Sequence, residues 1–368
     1  MAKKKKLREG YTTGSSATAA AMAALHFLMT NDTLTAIEIP TPRAGRITIP
    51  IHWVRPEGKL SARACVIKDG GDDPDATHKA EIHAVVELLP AQEDEISLKG
   101  GQGVGRVTLP GLPVPPGDPA INPAPREQLR EGLKEVLSVH QTHVGLSVTV
   151  EVPEGEEIAK HTMNPRLGIV GGISILGTRG TVKPFSHESY EASIAEGLNV
   201  AKHQGHTTVA LSTGGRTERL LLKDRPDIPE LASVQIADFY SFALRSAAEH
   251  GFTEIVVGCF FGKLVKMAQG FPYTHAKDNR IDFSLLADWC AEHGIPEKLH
   301  AELKAANTAR HALELLHGQP ALPKILASIT RRALSVAQDF AGPGVSLSYR
   351  VYDFDGTLLC ALSAEDNA

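Results

Sequence analysis

The sequence predicts two domains of different fold class: an N-terminal α+β domain with mixed or antiparallel strands over residues 1–155, and a second, doubly wound α/β (Rossmann-like) domain over residues 156–340. The first observation is length, because 368 residues exceed what one compact core usually holds. The second is the order of elements, since strand-like segments dominate the first part, whereas strand-like and helical segments alternate in the second. Residues 341–368 are expected to form a β-hairpin that packs back on the fold.

The predicted N-terminal domain opens on a helix over residues 15–29. Its Ala, Leu and Met residues have high helix propensity, and the Thr and Ser residues before it can cap its start. Apolar residues that alternate or cluster then predict strands over 47–51, 60–68, 81–88, 95–99 and 146–152. Glycine and proline crowd residues 100–125, which predicts an extended irregular segment before a helix over 125–139.

The predicted second domain starts with the apolar run 168–176, which is expected to be a strand. Further strands over 209–212 and 254–257 alternate with helices, which are predicted over 189–203, 239–249 and 263–268. Residues 281–340 are mostly helical. The segments 346–354 and 357–362 flank Asp355-Gly356, a two-residue turn signal that predicts the terminal hairpin.

The composition predicts a soluble cytoplasmic protein. Apolar residues make up 42% of the chain, charged residues 22%, and the formal net charge is −5. This balance does not indicate a nucleic-acid partner, and the basic run 3–6 is explained as a solvated terminus. No apolar run is long enough to span a membrane. Because the four cysteines lack metal-ligand spacing, we expect reduced thiols.

Two segments of the first domain have residue types typical of a ligand site. Residues 10–17 place Thr13 and Ser15 at a helix start, where free N–H groups attract phosphate or carboxylate. An ordinary capped helix explains them equally well. Residues 66–78 gather Asp69, Asp72, Asp73, Asp75 and His78, which suits acid–base chemistry, a metal or another cation. Aspartates that cap turns are the alternative explanation.

Two glycine-rich runs would let the backbone wrap closely around a ligand. Residues 99–106 end in Arg106, which can bind an anion. Residues 164–178 contain Gly171, Gly172 and Gly177 after an apolar segment, but not at the spacing of a dinucleotide fingerprint. They predict a ligand loop without NAD. Glycines that only allow close packing are the alternative.

Two further motifs resemble nucleotide and phosphate chemistry only in part. In the run 257–266 the glycines are one position too close for a P-loop, and Leu264 replaces the hydroxyl residue, so we exclude ATP hydrolysis there. Lys263 and the later His275 can still bind carboxylates, unless they belong to a solvated helix face and a structural contact. The run 351–359 matches the aspartyl-phosphatase motif, but only eleven residues follow Thr357, and the hairpin is the better explanation.

Taken together and in order, these segments resemble the cobalt-precorrin-5B C(1)-methyltransferase family of anaerobic cobalamin biosynthesis. The similarity extends from residue 7 to residue 275, through the runs LREGYTTGSSATAAA, VIKDGGDDPDATH, GGQGVGRVTLPGLPVPPGDPAINPAPR, NPRLGIVGGISILGT and GKLVKMAQGFPYTH. Ser16 stands where the family is expected to have Cys, so no covalent catalysis is assigned. Residues 212–217 read STGGRT, where Thr-Pro-Gly-Asn is expected.

The resemblance implies methyl transfer from S-adenosylmethionine to carbon 1 of a cobalt-containing corrin precursor, which gives cobalt-precorrin-6A. The substrate carries acetate and propionate carboxylates, so cationic side chains should bind it. The candidates are Arg43, Arg106, Arg166, Arg179, Lys183 and Lys263, together with Thr13, Ser15 and His275. Cobalt belongs to this substrate and is not a protein metal.

For the methyl donor, the candidate residues are glycines in loops after strands: Gly171, Gly172, Gly177, Gly214 and Gly258. Asp72, Asp73 and His78 are assigned acid–base or sulfonium-facing roles, because transfer to carbon needs a group that accepts or stabilises charge. A small-metabolite kinase and a non-catalytic corrinoid carrier are the alternative functions. The sequence leaves the oligomeric state open, with a homo-oligomer among the options.

Overall fold

The computed structural model describes residues 7–89, 96–277 and 279–364, and its contacts divide the chain into two compact units, Met1–Ser186 and His187–Ala368. The basic run 3–6 and residue 95, the predicted start of one strand, lie outside the described residues. Helices and several mixed sheets make up both units, which confirms the predicted mixture of α and β structure. None of the helices within the described ranges is long and apolar enough to cross a membrane.

The first unit contains short strands and few helices. Its strands are β1 (Gly10–Tyr11), β2 (Ala36–Thr41), β3 (Gly45–Pro50), β4 (Trp53–Pro56), β5 (Ser61–Ile67), β6 (Glu81–Leu88), β7 (Ile96–Gly100), β8 (Arg106–Val107), β9 (Leu146–Glu151), β10 (Ile169–Val170) and β11 (Thr181–Val182). Its helices are α1 (Thr13–Thr30), α2 (Pro123–Val139) and α3 (Gly155–Ala159).

A five-stranded sheet in the order β4-β5-β6-β9-β7 forms the centre of the first unit. Its pairs are antiparallel except for β7 and β9. Side chains alternate between the two faces, and one face, with Ala64 and Val66 of β5, packs in the same core as the alanines of α1. Small side chains let the helix lie close to the sheet, and the residues of α1 from Thr13 to Leu25 are buried.

The apolar run 168–176 does not form the first strand of the second domain. Only Ile169–Val170 is a strand, because Gly168 and Gly171 on either side adopt positive φ angles of 71° and 81°. This short strand pairs with β8, and Ile173 and Ile175 enter the core of the first unit. The expected domain boundary after residue 155 therefore falls inside the first unit, whose contacts continue to Ser186.

The second unit alternates strands and helices and ends in a group of helices and a hairpin. Its strands are β12 (Thr208–Ser212), β13 (Ser233–Gln235), β14 (Glu254–Phe260), β15 (Ser346–Tyr352) and β16 (Leu358–Ser363). Its helices are α4 (His187–His203), α5 (Gly215–Asp224), α6 (Tyr240–Glu249), α7 (Phe261–Ala268), α8 (Phe283–Ala291), α9 (Glu297–Lys304), α10 (Ala309–Leu316) and α11 (Leu322–Ala341).

The sheet of the second unit has the order β13-β12-β14-β15-β16. β13, β12, β14 and β15 are parallel, and β16 returns antiparallel to β15. Helices cover both faces: Val209 and Val257 share a large core with α4, α6, α7 and α11, while Ala210 and Val256 pack with Leu221 of α5. The strand order reverses direction between β12 and β14, so the loops that follow these two strands diverge.

β15 and β16 form a hairpin whose loop is longer than the predicted two residues. Tyr352 pairs with Leu358, so residues 353–357 make the turn. The N–H of Asp353 donates to the carbonyl of Thr357 at 2.9 Å, and Gly356 adopts a φ of 100°. The residues that match the phosphatase motif thus form a hairpin turn.

Candidate functional site

Three of the motifs in the first unit meet at the start of α1. The N–H of Tyr11 donates to the carbonyl of Asp69 at 2.9 Å, and the N–H of Gly14 donates to the carbonyl of Leu176 at 3.0 Å. A Cβ added at Gly10 would overlap the backbone of residues 69–71. The glycines of these motifs therefore serve, first of all, to pack three loops backbone against backbone.

The acidic loop between β5 and β6 is held by two ion pairs. Arg8 binds Asp69 on the exposed side, and its guanidinium, through hydrogen bonding, lowers the pKa of that carboxyl group. On the buried side, Lys68 pairs with Asp75. Burial alone would raise the pKa of Asp75, but the charge of Lys68 and hydrogen bonds from Lys68 and Thr77 outweigh it and lower that pKa. The loop is thus a rigid turn that holds its remaining acids in fixed positions.

The three residues predicted to be catalytic lie on this loop. Asp72 is exposed and accepts a hydrogen bond from the N–H of Arg8 at 2.7 Å, and half-buried Asp73 accepts one from the N–H of Phe185 at 2.8 Å. The N–H of Gly70 donates to Nδ1 of His78 at 3.0 Å. Because Nδ1 accepts this bond, the neutral imidazole carries its proton on Nε2, and the 3.7 Å approach to Asp69 is not a charged hydrogen bond in that state.

Thr13 and Ser15 are buried and bonded within the protein. The hydroxyl of Thr13 bonds the carbonyl of Leu176 at 3.2 Å, and that of Ser15 bonds the carbonyl of Gly180 at 2.8 Å. The N–H of Ser15 is capped by the Thr12 hydroxyl at 3.2 Å. The structure thus assigns this helix start to loop packing, because protein acceptors already take the donors that a phosphate would need. It contributes nothing to the kinase alternative. Ser16 is equally buried, with its hydroxyl on the carbonyl of Thr12 at 2.9 Å.

The glycines predicted to bind the cofactor are divided between the two units. A Cβ at Gly172 would overlap the carbonyl of Gly103, one at Gly177 would overlap Thr12, and one at Gly258 would press on Leu221 of α5 at 2.6 Å. These glycines are explained by packing. Gly171 and Gly214 have no neighbour within 4 Å of an added Cβ. Since Gly171 adopts a φ of 81°, its turn explains it, and only Gly214 lacks an explanation within the protein.

The predicted cationic residues of the first unit lie mostly at its surface. Arg106 is exposed, and its guanidinium donates to the carbonyl of Gly117. Arg166 is half-buried in the 3₁₀ turn Asn164–Leu167. Arg43, Arg179 and Lys183 are exposed.

A cavity of about 730 Å³ in the first unit lies between the proline-rich segment and α2. Arg126, Arg130 and Lys134 line it at four-residue spacing, which places them on one face of the helix. Arg126 donates to the carbonyl of Ile121 at 2.7 Å, so it also holds the wall. Acidic side chains, Asp118, Glu127 and Glu131, lie alongside. We did not predict this basic helix face from the sequence, although the four-residue spacing of its basic residues would have indicated it.

In the second unit, an uncapped helix start and a buried hydroxyl group lie at the carboxyl end of β12, next to that of β14. Gly214 precedes the first residue of α5, and no side chain caps that helix. Ser212, the last residue of β12, is fully buried, and its Oγ has no hydrogen-bond partner among the described residues. Free N–H groups at a helix start and an unpaired hydroxyl are the kind of groups that bind a polar ligand.

Beside this point, Lys263 lies in a polar cluster at the start of α7. It pairs with Asp238, which follows β13, and donates to the hydroxyl of Thr274 at 2.9 Å. The neighbouring Lys266 donates to the carbonyl of Thr274 at 2.8 Å, and burial together with the charge of Lys263 lowers its pKa. Lys263 is therefore a partly exposed cation whose position is set by Asp238 and Thr274.

Aromatic rings lie next to the Asp238 loop. Phe239 stacks on Tyr190 with 4.9 Å between ring centroids, and Tyr273 meets Phe239 edge-on at 5.2 Å. His275 lies beyond Tyr273, with 6.0 Å between their rings. Tyr190 remains 38% exposed, so the cluster offers an accessible ring face. The sequence motifs predicted Lys263 and His275 as site residues but not Ser212, Asp238 and these rings, which come together only through the strand order.

Two family models match parts of this chain. A family model described as CbiD matches residues 1–184, and a model described as CbiD, C-terminal domain, matches residues 273–362. A cobalt-precorrin-5B C(1)-methyltransferase of Nitratidesulfovibrio vulgaris is 51% identical over 96% of this chain and 92% of its own length. A protein of the same name from Geobacillus kaustophilus is 42% identical over 98% of this chain and 95% of its own.

One solved structure is also similar, a cobalamin biosynthesis protein (cbiD) from Archaeoglobus fulgidus. It is 28% identical, covers 71% of this chain and 79% of its own, and superposes with a TM-score of 0.38.

Proposed function

Because this chain belongs to the CbiD family, we propose that it is a cobalt-precorrin-5B C(1)-methyltransferase that takes its methyl group from S-adenosylmethionine. The observation that carries the proposal is the 51% identity to a methyltransferase of that name over 96% of the chain. Methyl transfer here means that carbon 1 of the corrin bonds to the methyl carbon as the bond from that carbon to the sulfonium sulfur breaks. S-adenosylhomocysteine is the leaving product.

We propose that the second unit is a doubly wound domain that binds S-adenosylmethionine beyond the carboxyl ends of β12 and β14. Open α/β sheets bind ligands where the strand order reverses, and that point lies between these strands. Gly214 leaves room for close approach, and the unpaired Oγ of Ser212 supplies a hydrogen bond. Of the five predicted glycines, this proposal keeps Gly214 as a cofactor contact and Gly258 as support for α5.

The groups around this point match the parts of the cofactor. Lys263, held by Asp238 and Thr274, is a cation for the carboxylate of the methionyl moiety. Ring faces such as that of Tyr190 bind both planar adenine and a sulfonium cation. Each group is fixed by the protein before any ligand binds, which reduces the entropy lost on binding.

For the corrinoid, we propose that Arg130 and Lys134 in the cavity against α2 bind carboxylates at one edge of the macrocycle. Both side chains are exposed on the helix, and Arg126 behind them fixes the proline-rich wall. Long basic side chains can reach several carboxylates of a substrate larger than the cavity. Thr13 and Ser15 are left out of this proposed site because they are buried.

The acidic loop retains its proposed role in charge stabilisation. Asp72 and Asp73 each use one carboxylate oxygen on a backbone N–H, which fixes the group and leaves the other oxygen for a ligand. His78 presents an Nε2–H donor, because its Nδ1 accepts from Gly70. We therefore assign His78 as a hydrogen-bond donor and the two aspartates as the charge-stabilising or proton-accepting groups.

Titration calorimetry with S-adenosylhomocysteine, followed by a methyl-transfer assay on cobalt-precorrin-5B, tests the proposal. We expect binding with one ligand per chain and the appearance of cobalt-precorrin-6A. The variant Lys263→Met should weaken cofactor binding by about ten- to a hundredfold, because one charge-assisted hydrogen bond is worth about 1.5–3 kcal/mol. Corrinoid binding without turnover would instead identify a carrier, and turnover unaffected by Lys263→Met would remove the proposed cofactor site.

A further inference from the structure

The side of the five-stranded sheet that faces away from α1 carries a group of side chains that the methyl-transfer proposal does not use. Residues 64 and 66 of β5, and 82 and 84 of β6, belong to the core with α1. Alternation therefore directs Cys65, Glu81 and His83 to the opposite face.

The backbone register fixes these side chains close together. Cys65 of β5 lies directly opposite His83 of β6, and Trp53 of β4 lies directly opposite Cys65. Glu81 is two residues from His83 on the same strand. One ligand atom from each of Cys65, Glu81 and His83 lies within 4.8 Å of the other two. A tetrahedral zinc site with its usual bond lengths separates its ligand atoms by about 3.4–3.6 Å, so small side-chain movements would complete it.

The two ring nitrogens of His83 differ in their contacts. His83 is only 7% exposed, and its Nδ1 has no hydrogen-bond partner among the residues that the structure describes. Its Nε2 lies 2.9 Å from Oε2 of Glu81. The edge of its ring meets Trp53, with 5.1 Å between centroids, and this contact shields it from water. Nε2, which faces the carboxylate of Glu81, is therefore the ring nitrogen that belongs to this cluster.

We propose that Cys65, His83 and Glu81 form a site for one divalent cation of the zinc class. A thiolate, an imidazole and a carboxylate together suit zinc or cobalt(II), whereas magnesium and calcium prefer oxygen ligands alone. Binding replaces the thiol proton of Cys65, which is released to solvent, and places the cation between Nε2 of His83 and the carboxylate of Glu81, with the proton of the neutral imidazole on Nδ1. Three protein ligands leave a fourth position for water, on the side where the Glu81 side chain is 48% exposed. The site is independent of the proposed methyl transfer.

Cobalt(II) titration of the full chain after treatment with a chelator tests the site, because a thiolate bound to cobalt(II) gives a charge-transfer band in the near ultraviolet. We expect one cobalt per chain, tetrahedral ligand-field bands, and displacement of the cobalt by zinc. Cys65→Ser should abolish the charge-transfer band. The matched control is Cys290→Ser, which replaces another fully buried cysteine, in the second unit, and should leave the band unchanged.

A second variant covers the case in which Cys65→Ser fails to fold. Glu81→Gln alters a partly exposed side chain, so the fold should persist by circular dichroism, and cobalt affinity should fall at least tenfold. Absence of the band in the wild-type chain would overturn the proposal. So would a band that survives Cys65→Ser, or an affinity unchanged by Glu81→Gln.

Discussion

The ion pair of Lys68 and Asp75 gives the sharpest test of how the acidic loop is held. The side chain of Lys68 is 2% exposed and that of Asp75 is 19% exposed. Replacing Asp75 by Ala leaves a buried ammonium group without its counter-charge and removes the carboxylate that accepts bonds from Thr77 at 2.7 and 2.6 Å. Breaking one partner of a buried pair costs about 3–5 kcal/mol. For a unit of this size, that loss lowers the unfolding midpoint by about 6–20 °C.

Because Lys68 is more deeply buried than Asp75, the variants of the two residues should differ in stability. Lys68→Met removes the buried charge and leaves Asp75, which is still partly hydrated and bonded to Thr77, so we expect a loss of about 1–2 kcal/mol. The double variant Lys68→Met/Asp75→Ala should then be more stable than Asp75→Ala alone. The favourable coupling in such a cycle should reach about 2 kcal/mol.

Fluorescence can follow this unfolding in the first unit alone. The chain has two tryptophans, Trp53 in the first unit and Trp289 in the second. In a Trp289→Phe background, Trp53 reports denaturant unfolding of its own unit. Asp32→Ala, at an exposed site, is the control and should change stability by less than about 0.5 kcal/mol. A cost below about 1 kcal/mol for Asp75→Ala, or no recovery in the double variant, would show that the buried pair does not hold this loop.

Other predictions concern pH, packing and the proposed binding groups. Because the pKa of Asp75 is lowered in the folded chain, the stability that its charge contributes should be complete above the unfolded pKa of about 4 and should decrease as pH falls towards the folded pKa. The difference in urea midpoint between wild type and Asp75→Asn should shrink over the same pH range. Gly172→Ala should lower the thermal midpoint strongly, since its Cβ would overlap a backbone carbonyl, at a cost of about 1–3 kcal/mol or more. Gly214→Ala meets open space, so it should leave the midpoint unchanged while weakening S-adenosylhomocysteine binding by calorimetry; unchanged binding would contradict the proposed crevice. Arg130→Ala/Lys134→Ala should raise KM for the corrinoid by about tenfold with kcat retained, and a fall in kcat alone would speak against a binding role.

Local patterns predicted most of the regular elements. The helix expected over 15–29 is α1 at Thr13–Thr30, and the strand expected over 81–88 is β6 at Glu81–Leu88. Alanine-rich and alternating apolar segments specify such elements locally, through residues that are close together in the chain. Short strands such as β13 were not predicted, because its three residues are too few to show an alternating pattern.

The apolar run 168–176 shows where local patterns fail. Its composition is that of a buried strand, and its residues are indeed buried at Ile173 and Ile175. However, the glycines at 168 and 171 turn the backbone, and its partners β8 and α1 come from distant parts of the chain. Periodicity predicts that residues are buried, but it does not specify which core receives them.

The amino-acid sequence alone is enough to identify the family, the mixture of α and β structure, and the polar and glycine-rich segments from which any site must be built. Which of these segments are accessible depends on the tertiary structure. It buried Thr13 and Ser15 against loop carbonyls, explained Gly172 and Gly177 by packing, and left Gly214 open beside an unpaired Ser212. It also brought Cys65 opposite His83. Pairing register and close backbone contact join residues far apart in the chain, and no local pattern of residue types encodes those distances.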